Sequence, residues 1–99
     1  MQKTYTLTAD VWLYPSMAGW HFITLPVQTA DEIKALFSDV KRGWGSLRVV
    51  VTIGKTTWKT SIFPDKKTNS YLLPLKAEVR KRENIQAGDE VKFTLAVGG

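Results

Sequence analysis

From Thr4 to Tyr14 apolar and polar positions alternate strictly, with Tyr5, Leu7, Ala9, Val11 and Leu13 on one face and Thr6, Thr8, Asp10 and Trp12 on the other. A period of two marks a strand half-buried against a core. Pro15-Ser16-Met17-Ala18-Gly19 breaks the run, and Trp20 to Leu25 reads as its antiparallel return, stopped by Pro26. Thr29 followed three residues later by Glu32 has capping-box spacing, and Ile33, Leu36, Phe37 and Val40 recur at helical spacing as far as Lys41-Arg42-Gly43. One α-helix is therefore predicted over about 29–41, laying an apolar stripe on the sheet.

Beyond Gly43-Trp44-Gly45 the β-branched run Leu47 to Ile53 predicts a strand, and Gly54-Lys55 a tight turn into another from Thr56 to Phe63. Pro64 to Asn69 reads as a polar turn, and Ser70-Tyr71-Leu72-Leu73 as extended chain running into Pro74. A short basic helical turn is expected over about 77–83. Ala87-Gly88-Asp89 then starts a last strand with Val91, Phe93, Leu95 and Val97 inward, ahead of Gly98-Gly99 as a loose end. Set side by side, the segments repeat. Phe22-Ile23-Thr24-Leu25-Pro26-Val27 parallels Ser70-Tyr71-Leu72-Leu73-Pro74-Leu75, and Leu47 to Val51 parallels Val91 to Leu95. The pattern predicts a mainly-β single domain over 1–99, a pseudo-twofold barrel of two repeats, about 4–54 and 55–97. Closure would remove the strand edges that two separate hairpins expose.

Composition agrees with an ordered core: 43% of residues are hydrophobic and 23% charged, outside the range of disordered chains. With no cysteine, disulfides, thiolate nucleophiles and cysteine-rich zinc sites are excluded. The alternating N-terminal residues build no apolar run of signal-peptide or membrane-span length, so a cytoplasmic protein without membrane contact is expected. Lysine and arginine total 14 against 9 acidic residues, a net charge of +5 that favours anionic partners. The charge is spread along the chain rather than held in one run.

Catalytic and cofactor chemistry finds little support in these residues. His21 is the only histidine, and its ordinary reading is a strand-face side chain rather than a metal ligand or general base. The serines lack a nucleophile-elbow context, and the glycines at 43, 45, 54 and 88 match no phosphate-binding fingerprint, so neither an enzyme nor a bound cofactor is expected. Lys76, Lys81 and Arg82, with Lys55 and Lys59 from the neighbouring hairpin, are the candidate anion-binding residues; the competing reading is a solvated helix face. Tryptophans at 12, 20, 44 and 58 divide between a core role and a binding cleft.

Tyr71-Leu72-Leu73-Pro74, the Arg80-bearing helical turn and Gly88-Asp89-Glu90-Val91 resemble the swapped-hairpin signature of AbrB-, MazE- and MraZ-type proteins. Together with the Trp20 to Pro26 strand, the helix and the Gly43 entry, residues 4–97 resemble a bacterial and archaeal family of unknown function. That family has a double-split β-barrel fold and is often fused to YdeI-type bacteriocin-protection modules. The resemblance implies a fold and no activity. AbrB-type relatives bind DNA with a barrel built from two chains, whereas both halves lie in one chain here. By the same likeness Arg80 and Asp89 are expected as a structural ion pair or backbone-bonding pair, against a ligand-facing arginine.

These readings converge on a non-catalytic binding module for nucleic acid or another polyanion, monomeric or weakly dimeric. The alternative is a protein-interaction or stress-tolerance accessory domain meeting an acidic or other protein partner. A more distant reading starts from Gly98-Gly99, which resembles the C-termini of sulfur carriers.

Overall fold

The computed structural model describes residues 2–16, 19–37 and 45–98. Along the chain run β1 (Gln2–Leu13), β2 (His21–Thr24), α1 (Val27–Phe37), β3 (Leu47–Ile53), β4 (Thr56–Asp65), β5 (Ser70–Leu75), α2 (Ala77–Glu83) and β6 (Glu90–Gly98). The strands close into a barrel in the order β1-β2-β5-β4-β3-β6, with antiparallel neighbours throughout. The mainly-β barrel with one full helix and one short helical turn is the observed fold.

Closure depends on two strands that change partners. β1 pairs with β6 from Gln2 to Asp10 and with β2 from Val11 to Leu13. β4 does the same, pairing with β3 from Thr56 to Ile62 and with β5 from Phe63 to Asp65. Exchanging β1 with β4, β2 with β5 and β3 with β6 carries these ladders onto one another. The helices follow the same exchange: the Ala30 N–H bonds the Pro26 carbonyl as the Arg80 N–H bonds the Lys76 carbonyl. Pro26 thus corresponds to Lys76, and not to Pro74 as the shared Leu-Pro suggests.

Period-two alternation puts Val49, Val51 and Ile53 of β3 and Val91, Phe93, Leu95 and Val97 of β6 inside, facing Ile23, Ile62 and Leu73. Ala30 and Ile33 of α1 and Val79 of α2 bury the helices' apolar positions on this core. Each buried Val, Leu, Ile or Phe side chain contributes about 1.5–3 kcal/mol by leaving water. Ser70 is fully buried, and its hydroxyl donates to the Leu25 carbonyl at 2.6 Å, which satisfies both groups.

Four expectations shift. Leu13 is 48% exposed rather than inward, because β1 has passed the barrel rim where it pairs with His21. Helix α1 starts at Val27, so Thr29 lies within its first turn and is not its cap; residues 38–41 of the expected helix lie outside the described residues. Pro64 and Asp65 belong to β4 instead of a turn, at a stretch where that strand has only β5 beside it and a missing N–H costs no second ladder. Gly98 is no loose end but pairs with Gln2, while Gly99 lies outside the described residues.

Candidate binding groove

The partner change in β4 opens a groove. Upstream of Phe63, β4 follows β3, while β5 from Leu73 to Leu75 follows β2, so no ladder joins β4 to β5 there among the described residues. The gap is about 690 Å³, with Trp58, Lys59 and Thr60 on one wall and Leu72, Pro74 and Leu75 on the other. Phe63 stands at the fork. The segment Gly19 to Phe22 and the start of α2, through Lys76, Ala77 and Arg80, complete the lining.

Most of this lining is apolar. Trp58 is buried, whereas Trp20 is 52% and Phe63 46% exposed. Trp20 and Phe22 also belong to an aromatic cluster on the β1–β2 hairpin, where Trp12, Tyr14, Trp20 and Phe22 have contacting ring centroids 5.4–6.3 Å apart. Trp12 anchors that cluster by donating its indole N–H to Thr24 Oγ1 at 2.9 Å. Of the sequence's two readings of the tryptophans, Trp58 belongs to both, buried in the core while lining the groove, and Trp20 lines the groove exposed; Trp12 lies in the hairpin cluster and Trp44 outside the described residues.

The charged side chains of the groove are Lys59, Lys76 and Arg80, and among the described residues no carboxylate lines it. Arg80 is held by the backbone: Nε donates to the Leu75 carbonyl at 3.1 Å and Nη2 to the Gly19 carbonyl at 3.2 Å. A guanidinium carries five N–H donors, so these two bonds orient the fork and leave donors for an anion. Its neighbour His21 reaches the Gly19 carbonyl with Nδ1 at 2.9 Å, and since a carbonyl only accepts, Nδ1 carries the proton.

A family model described as a domain of unknown function, DUF1905, matches residues 8–95 of the chain. The chain belongs to the DUF1905 family. No curated protein matches it. The matched span takes in every residue of the groove of this DUF1905 domain, and the family description brings no activity with it.

Of the anion-binding candidates read from the sequence, the fold brings Lys59 and Lys76 together and leaves the others elsewhere. Lys55 sits in the β3–β4 turn, where its backbone N–H donates to Glu83 Oε2. Arg82 pairs with Glu78 at 2.9 Å along exposed helix surface, and Lys81 lines no part of the groove. Arg80 and Asp89 bond to backbone as one expectation held, but not to each other: Asp89 Oδ2 accepts the Gln86 N–H at 2.8 Å, closing its own turn. The ion-pair expectation is corrected accordingly, because Arg80 extends toward Gly19 instead. Phe63, Leu72 and Pro74 were not singled out in the sequence; their signal was an apolar residue on the outward phase of a strand.

Among the described residues no cluster of His, Asp or Glu could hold a metal ion. No helix of the described residues is long and apolar enough to cross a membrane.

Proposed function

We propose that this DUF1905 domain is a non-enzymatic binding module for polyanions, nucleic acid foremost, and that the groove between β4 and β5 is its site. The observation that carries this reading is the groove's charge: Lys59, Lys76 and Arg80, with no carboxylate in the lining among the described residues. Phosphates neutralised by three such cations release counterions, so affinity should fall with salt along a log–log slope of about 2 to 3. The net charge of +5 adds long-range attraction.

The test is a titration of mixed-sequence oligonucleotides at low and moderate salt, with Lys59→Glu and Lys76→Glu as variants. Binding that weakens with salt and drops in both variants supports the reading. Absence of binding at tens of micromolar in low salt, or binding indifferent to both charge reversals, overturns it. A second reading, a protein-docking accessory domain of the kind that YdeI-type fusion suggests, is favoured by the exposed Leu13, Tyr14, Trp20 and Phe63.

A further inference from the structure

We infer that the groove selects unpaired nucleotide bases, and so takes single-stranded nucleic acid in preference to duplex, by stacking bases on the ring surface that Trp20 and Phe22 carry from the hairpin into the groove. The inference rests on the polyanion reading above and adds to it. A surface that met only phosphates would need cations on a polar face, yet here the three cations border a lining that is mostly ring and aliphatic carbon. Trp20 is half exposed even with the Tyr14 and Phe22 rings at centroid distances of 6.3 Å. In a duplex the base faces are covered by their neighbours in the stack, and the rings of a recessed groove cannot reach them. In a single strand every base offers a π-face, and base–aromatic stacking beside backbone-tracking cations is sequence-tolerant.

Arg80 ties the cationic side of the groove to the ring-bearing segment. Its guanidinium is held by the Leu75 and Gly19 carbonyls, and Gly19 is the residue next to Trp20 in the chain. A phosphate at Arg80 would therefore share one groove with the Trp20 ring that would hold a base, and with Lys59 and Lys76. The Gly19 φ of +87° lets the chain turn there and present its carbonyl to the arginine.

The experiment compares three probes of equal length, about ten nucleotides: oligothymidylate, an abasic deoxyribose-phosphate strand and a mixed-sequence duplex. Each is titrated into the full chain and followed by probe anisotropy. Oligothymidylate should bind most tightly, and Trp20→Ala should weaken it roughly five- to a hundredfold, with Trp20→Phe recovering most of the loss. The abasic strand should be indifferent to Trp20→Ala. If the abasic strand or the duplex binds as well as oligothymidylate, the stacking inference fails while the polyanion reading stands. If no probe binds, both fail. An unchanged oligothymidylate affinity in folded Trp20→Ala, checked by its thermal melt, removes Trp20 from the site and overturns the inference.

Discussion

Gly54 in the β3–β4 turn and Glu83 at the end of α2 lock the junction of the two halves, and a double-mutant cycle exposes the lock. Gly54 has φ +56°, and a Cβ there would stand 2.9 Å from the Glu83 Cδ. Glu83 Oε2 accepts the Thr56 hydroxyl at 2.7 Å and the Lys55 N–H at 3.3 Å, and Thr56 is buried. Glu83→Ala loses these bonds and strands the Thr56 hydroxyl, a cost of about 1.5–2 kcal/mol. Gly54→Ala adds about 1 kcal/mol of left-handed backbone strain and displaces the carboxylate, losing much the same bonds, for a total near 3 kcal/mol. The double variant should also lose only about 3 kcal/mol, since the Glu83 bonds disappear once, which gives a coupling of roughly 1.5–2 kcal/mol. Urea unfolding followed by tryptophan emission measures all four corners. Losses that add to within about 0.5 kcal/mol would refute the lock.

Arg80→Ala should cost about 1–2 kcal/mol by freeing the Leu75 and Gly19 carbonyls, and Arg80→Lys should recover little because an ammonium cannot span both. Asp89→Ala should cost about 1 kcal/mol through its Gln86 bond, and thermal melts of the double variant should show additive losses, since the two side chains do not share a bond. Tyr5 is pushed up from 10.0 to about 12, first by burial of its hydroxyl and then by the nearby Glu32 carboxylate. The folded state keeps the phenol protonated while the unfolded state releases it, so this contribution is intact below pH 10 and is lost as pH rises toward about 12. Urea midpoints across that window should fall more steeply for the wild type than for Tyr5→Phe; parallel curves would contradict it.

The barrel was legible because alternation and element order are local signals: β3, α2 and the inward face of β6 all follow from period and punctuation. The closure was less so. Nothing in the stretch Ile62-Phe63-Pro64 announces that β4 leaves one partner for another, and Pro64 read by its turn propensity conceals the strand it belongs to. That partner change opens the groove, so the groove's position was hidden for the same reason. Lys59 and Lys76 were legible as charges but not as neighbours, because their proximity depends on the fork at Phe63. Arg80 and Asp89 show the reverse error. A motif-like spacing suggested mutual contact, whereas short-range carbonyl and N–H partners satisfied each side chain separately.

The central claim, that the groove receives the polyanion, is tested most directly by backbone amide NMR of the full chain titrated with oligothymidylate of about ten nucleotides. Perturbed amides should map to Gly19–Phe22, Trp58–Phe63, Leu72–Leu75 and α2 near Arg80, and should return toward their free positions as salt is added. Shifts centred on Lys55, Lys81 and Arg82, with the groove silent, would contradict the account.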